Sequence, residues 1–186
     1  MEPRVRTETN ARSSFQGEPS DTHDQFWFVE ASSSGCVRLA VVIQEMTEQE
    51  CRAMLAGTNL ARLACAHNNQ PYIIPIHVDL SGDFLYCYAT LGQKIEWMRQ
   101  NPLVCLEVED LRTHGEWASL VVFGHYEELP LTPEYEEPRK VAEGLFAKHP
   151  VWWEPASVPL VAHEQRARIV FRIRLDRMTG RRSTPD

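Results

Sequence analysis

The chain has 186 residues, 43% of them hydrophobic and 24% charged, and carries a formal net charge of −7. That length supports one well-buried domain with an irregular extension and is short for two. The negative charge argues against broad nucleic-acid binding, which needs a basic surface to neutralise phosphates. No apolar run approaches the roughly 20 residues of a membrane helix, and Glu2, Arg4, Arg6 and Glu8 break any apolar stretch of the kind that opens a secretory signal. A soluble, cytoplasmic protein with no membrane partner is expected.

Residues 1–40 are rich in Ser, Thr, Glu and Asp, with Phe26-Trp27-Phe28 as an aromatic anchor. They read as a mobile arm before a domain over 41–182 and a short tail over 183–186. Thr47-Glu48-Gln49-Glu50 has the form of a capping box, with Cys51, Met54 and Leu55 as an apolar stripe and Gly57 as the stop, which predicts one short helix. Strand character follows from Leu60 to Ala66, Tyr72 to Asp79, Phe84 to Ala89, Leu103 to Glu109, Trp117 to Glu127 and Arg168 to Asp176. His67-Asn68-Asn69-Gln70 and Ser81-Gly82-Asp83 supply the turn chemistry for two hairpins. Gly92 to Gln100 reads as a second helix that Asn101-Pro102 ends, Arg139 to Lys148 as a third, and Pro150 to Pro159, with Trp152 and Trp153, as an irregular loop. In the last strand Ile169, Phe171, Ile173 and Leu175 alternate with Arg168, Val170, Arg172 and Arg174, so one face is core and the other wet. Strands without a βαβ rhythm predict a mainly β protein, a six-stranded antiparallel barrel closed on itself with a few helices. Five cysteines without C-x-x-C spacing (Cys36, Cys51, Cys65, Cys87, Cys105) read as reduced core thiols, with no metal set.

Four places carry candidate chemistry. Thr90, Gly92, Gln93 and Lys94 open the second helix, where free amides, the positive end of the helix dipole, a hydroxyl and an ammonium can converge on one phosphate; the alternative is a threonine cap and a solvated lysine. Arg62 sits among small and apolar strand residues and needs an anion, whether a ligand phosphate or a structural carboxylate. His77 ends Ile74-Pro75-Ile76-His77; it is either a satisfied strand histidine or a proton donor to a ligand. Pro75 removes a ladder donor and marks an edge or bulge. Tyr86, Tyr88 and Trp97 can line a ligand or fill the core. The arginines 172, 174, 177, 181 and 182 can draw an acidic substrate or form a solvated face. Nucleotide-binding glycine loops, H-E-x-x-H and G-x-S-x-G do not occur.

An ordered set of motifs resembles the FMN-binding split barrels of the pyridoxamine 5′-phosphate oxidase-like superfamily, closest to the branch of flavin-nucleotide-binding proteins that includes the nitroimidazole-resistance reductases. The set is Arg62-Leu63-Ala64-Cys65, Gln70-Pro71-Tyr72 entering Ile74-Pro75-Ile76-His77, Phe84-Leu85-Tyr86 running into Thr90-Leu91-Gly92-Gln93-Lys94, Asn101-Pro102, Trp117-Ala118-Ser119-Leu120-Val121-Val122-Phe123-Gly124, and Asp176-Arg177-Met178-Thr179-Gly180-Arg181. The resemblance implies a homodimer with FMN in grooves shared by two chains, contacted by Arg62, Pro75, Ile76, His77, Thr90, Gly92, Gln93, Lys94, Ser119 and Arg181. It further implies that His77 acts as the catalytic proton donor on a small-molecule substrate, with NADH or NADPH as electron donor. The oxidases themselves place an arginine-lysine pair where this chain has Gln93-Lys94, and a cationic strand residue where it has Ile73-Ile74. Their C-terminal substrate-binding pattern is missing, so oxidation of pyridoxamine phosphate is not expected. A non-catalytic flavin-storage or sensing protein, and a haem-binding split barrel using one of His67, His77, His114, His125, His149 or His163, are the alternatives.

Overall fold

The computed structural model describes residues 41–113, 115–149 and 168–185. The expected arm over 1–40 with Phe26-Trp27-Phe28 and Cys36, the loop from Pro150 to Pro159, His114 and His163 lie outside the described residues. In chain order the elements are β1 (Val41–Met46), α1 (Glu48–Ala56), β2 (Leu60–His67), β3 (Gln70–His77), β4 (Asp79–Ser81), β5 (Phe84–Thr90), α2 (Gln93–Gln100), β6 (Leu103–Thr113), β7 (Glu116–Glu128), a single 3-10 turn (Pro133–Tyr135), α3 (Glu136–Lys148) and β8 (Arg168–Pro185).

The strands form one eight-stranded antiparallel sheet in the order β3-β2-β6-β7-β8-β5-β4, with β1 added to β8. This mainly β split barrel agrees with the expected class and differs from it in two respects. Two further strands, β1 and the three-residue β4, raise the count from six to eight. The sheet also does not close: its path ends at β3 and β4, which are joined through Val78 and share no ladder. Pro71 and Pro75 explain one open edge, because a strand lacking those N–H donors is confined to an edge position.

The segment β8 organises the fold. One of its edges pairs with β7 from Phe171 to Ser183, while the other is divided: β5 takes Arg168 to Arg174 and β1 takes Gly180 to Pro185. Between the two halves Phe123 lies opposite Arg177 and Gly124 opposite Leu175, which leaves Asp176 as the extra residue of a bulge. Gly124 is required there, since a Cβ would fall 2.3 Å from the Arg174 carbonyl oxygen. The bulge reverses the inside–outside phase of the sequence, which is why the alternation read from Ile169 onward stops at Asp176 while the strand runs on. Residues 183–185, expected to be a tail, belong to that strand, and Ser183 is buried with its hydroxyl donating to the Gly115 carbonyl at 3.1 Å.

Local signals act as the sequence predicts. The amide of Glu50 donates to the Thr47 hydroxyl oxygen at 3.3 Å and the Thr47 amide donates to the Glu50 carboxylate at 2.8 Å, completing the capping box. Asn68 and Asn69 have φ of 49° and 63°, the positive pair that a two-residue hairpin turn needs and asparagine tolerates. The helix α3 begins three residues earlier than expected; Pro138 sits in its first turn, where a missing N–H removes no helical bond. The core joins Leu63, Leu106, Leu120, Val122, Phe171 and Ile173 of the sheet to Cys51 and Leu55 of α1 and to Ile95 and Met98 of α2. Each such side chain contributes about 1.5–3 kcal/mol by leaving water. A second, smaller core places Ala142 of α3 against Tyr86, Leu129 and Val170.

Candidate functional site

The start of α2 is open chemically and sterically. Its cap residue, Gly92, has extended backbone and no side chain closes the turn, so Thr90 is not a cap. The Gly92 carbonyl accepts from Ile95 at 2.9 Å and from Glu96 at 3.1 Å, while the first-turn amides of Gln93 and Lys94 belong to the set that a helix cannot satisfy internally. Nothing lies within 4 Å of where a Gly92 Cβ would stand. Lys94 is half-buried and has no ion-pair partner among the described residues. Its ammonium sits close enough to Cys65 to favour the thiolate, although burial outweighs it and pushes that thiol up. Thr90 and Gln93 are exposed on either side of Gly92.

Arg62 belongs to a different surface. Strand residues alternate, so Leu63 and Cys65 face the core with α2 while Arg62 points to the opposite side of β2. There it is bound to Glu107 at 3.1 Å and Glu109 at 2.7 Å. Glu109, Ser119, Arg181 and Glu45 then follow one another across β6, β7, β8 and β1 as direct ladder neighbours. The outer face therefore gathers Arg62, Ser119 and Arg181, and only Arg181 of the two arginines lacks an ion pair among the described residues. Around them stand exposed apolar side chains: Ile73 (61%), Leu111 (69%), Leu60, Leu103, Phe123 and Ile43. One chain thus places its ten expected cofactor residues in separate groups rather than in one cleft.

Of the expected flavin-edge residues, Pro75 is exposed on the β3 edge, Ile76 is in the core, and His77 is only 4% exposed. The His77 Nε2 is bound to Asp79 Oδ2 at 2.9 Å. Asp79, itself 2% exposed, also accepts from Asn59 Nδ2 at 3.0 Å and from His149 Nδ1 at 2.8 Å. Sequence reasoning missed this cluster. The available signal was an aspartate standing inside the apolar run from Ile73 to Leu80, since a buried carboxylate needs donors.

The remaining candidates are engaged in packing. Trp97 meets Tyr72 at 5.6 Å and His67 at 5.8 Å, and Tyr88 meets Phe146 of α3 at 4.8 Å with the Arg168 guanidinium 4.1 Å from its ring centre. Arg172 binds Glu127 at 2.6 Å, Arg174 binds Asp176 at 3.0 Å, Arg182 binds Glu50 at 2.6 Å, and Arg177 lies over the Phe123 ring. Cys51, Cys65, Cys87 and Cys105 are free, and burial pushes each thiol up. Among the described residues no group of three His, Cys, Asp or Glu is arranged to hold a metal, and no helix is long and apolar enough to cross a membrane.

The described residues thus form an antiparallel split barrel with an unpaired lysine at an open helix start and, on the outer face of the sheet, exposed apolar side chains around Arg62, Ser119 and Arg181. A model of the family described as pyridoxamine 5′-phosphate oxidase matches residues 47–182, and the chain belongs to that family. A protein of Rhizobium meliloti with no described activity is 43% identical over 142 residues, covering 75% of this chain and 94% of its own. The crystal structure of a protein of Mesorhizobium loti described as FAD-binding is 33% identical, with a TM-score of 0.65 over 77% of this chain and 98% of that one. The structure of a 5-nitroimidazole antibiotic resistance protein from Bacteroides thetaiotaomicron shares the fold at 18% identity and a TM-score of 0.53, covering 76% and 89%.

Proposed function

We propose that this protein is a homodimeric, FMN-binding oxidoreductase of the cytoplasm that reduces a small molecule with NADH or NADPH. One observation carries the reading: Lys94, without a carboxylate partner, stands on the first turn of a helix whose cap leaves its amides and the space above Gly92 free. A phosphomonoester there gains charge-assisted bonds from the ammonium and the amides of Gln93 and Lys94, and the Thr90 hydroxyl is close in sequence to add one.

The separation of the candidate residues supports the dimer. Ser119 and Arg181 lie on the outer face and cannot reach the α2 start of their own chain through the sheet. A second copy seated on that face covers Ile73, Leu103 and Phe123 and brings its own α2 toward Ser119 and Arg181. Arg62, already neutralised by Glu107 and Glu109, makes a smaller contribution in this arrangement. When bound, the flavin supplies hydride or electron transfer; the protein's residues anchor the phosphate, shield one ring face and hold protons.

A second reading, FAD in the same groove, is favoured by the description of the 33% identical relative. Titrating the purified protein with FMN and FAD, followed by absorbance and by turnover with NADH or NADPH, separates the possibilities. Tight FMN uptake with turnover is expected. Preference for FAD corrects the cofactor, flavin uptake without turnover with any donor leaves a binding protein, a Soret band on haem titration points to haem, and no uptake removes the reading.

A further inference from the structure

We propose that His149, oriented by the buried carboxylate of Asp79, is an acid–base residue of this protein and protonates an oxygen of the bound substrate, such as a quinone or nitro oxygen, as it gains charge on reduction. The inference deepens the reductase reading and rests on it.

Three features of the cluster carry it. First, Asp79 is 2% exposed while His149 is half exposed, so a carboxylate fixed in the core holds a ring that reaches the surface. Second, the bond is made through Nδ1, at 2.8 Å, and Nε2 of His149 makes no bond among the described residues. An imidazole held in this way has a set orientation and presents its other nitrogen outward. Third, Asp79 is immobilised by donors from two other segments, Asn59 before β2 and His77 at the end of β3, so it is a rigid support. A surface ion pair that serves stability alone requires no such buried backing.

Tyr88 of β5 links the cluster to the strand that ends at the proposed phosphate anchor. The Tyr88 ring lies 6.4 Å from that of His77 and 4.8 Å from Phe146, one turn before His149 on α3. Thr90 is two residues beyond Tyr88 on β5, hence on the same face at a rise of about 7 Å. A ligand anchored at Thr90 and Lys94 and extended along that face runs toward the C-terminal end of α3. Among the described residues the other titratable or charged groups near the cluster are Cys87 of β5, Tyr88 and, over its ring, Arg168 of β8. In the step itself the doubly protonated ring of His149 loses its Nε2–H bond as that proton passes to the substrate oxygen, which leaves the neutral ring with its Nδ1–H on Asp79; the electrons would come from the reduced flavin, and water returns a proton to Nε2.

The test uses full-length protein loaded with FMN, reduced by dithionite and mixed with p-benzoquinone or a nitrofuran across pH 5.5–8.5, for wild type, H149Q and H149A. Glutamine retains a donor to Asp79, so H149Q keeps the contact that ties α3 to the barrel while removing the proton. Its FMN affinity and melting temperature are expected to match wild type, its reoxidation rate to fall by about 10²-fold, and its pH profile to become flat where wild type slows toward high pH. A rate and profile equal to wild type in H149Q overturn the inference while leaving the reductase reading intact. A wild type that takes up no flavin overturns both.

Discussion

Arg62 and Lys94 are both cations on short elements of the same barrel, and the structure treats them differently. Arg62 projects from the outer face of β2 into two carboxylates at 3.1 and 2.7 Å, so its charge is already matched. Lys94 stands half-buried at the start of α2 with free amides beside it and no carboxylate within reach among the described residues. A cation left unmatched in partial burial is a stronger candidate for an anion site than one whose charge carboxylates already match, because a bound anion would offset its desolvation.

The comparison is sharpened by substitution. Lys94→Gln removes one charge-assisted contact to the phosphate and is expected to weaken FMN binding by about 10²-fold, roughly 2.7 kcal/mol, measured by quenching of flavin fluorescence; equal affinity breaks the comparison at its strong end. Phe123→Asp combined with Ile73→Asp places two charges on the outer face. It is expected to raise the dimer dissociation constant at least about 10-fold by sedimentation and to weaken FMN binding with it, since Ser119 and Arg181 then no longer meet a second chain. An unchanged dimer assigns the interface to another surface.

A third prediction concerns acid stability. The two 2.8 Å bonds from Arg99 hold the Glu128 carboxyl below the usual range, and the Tyr126 hydroxyl adds a third at 2.9 Å. Because the folded value lies below the unfolded one, this contribution is complete above about pH 4.5 and is lost as pH falls through the folded value. Glu128→Gln is therefore expected to lower stability near pH 7 by about 1 kcal/mol, with the gap to wild type closing in acid; a gap independent of pH contradicts the assignment. The smallest effect is expected for Arg62→Gln, which changes FMN affinity by less than about threefold in the same fluorescence titration. A loss as large as that of Lys94→Gln means that its two carboxylates yield to the ligand.

What the sequence made legible was what neighbours along the chain decide. The capping box at Thr47 and Glu50, the paired asparagines of the β2–β3 turn, the end of α2 at Asn101-Pro102 and the alternation in β8 up to Asp176 all rest on contacts a few residues apart. The features it did not reveal are non-local. Arg62 finds Glu107 of β6, 45 residues away, and Asp79 is bound by His149 at the end of α3, 70 residues away. Likewise β4 is too short to carry a pattern, and the bulge at Asp176 reverses the phase by which β8 was being read.

The central claim is that a flavin phosphate is held at Lys94 in a cleft that two chains complete. Sedimentation velocity on FMN-loaded protein, recorded at both flavin and protein wavelengths, tests it most directly. The account predicts that flavin absorbance travels with a dimer at one FMN per chain in wild type and separates from protein in Lys94→Gln. Flavin that travels with a monomer, or that stays bound in Lys94→Gln, contradicts it.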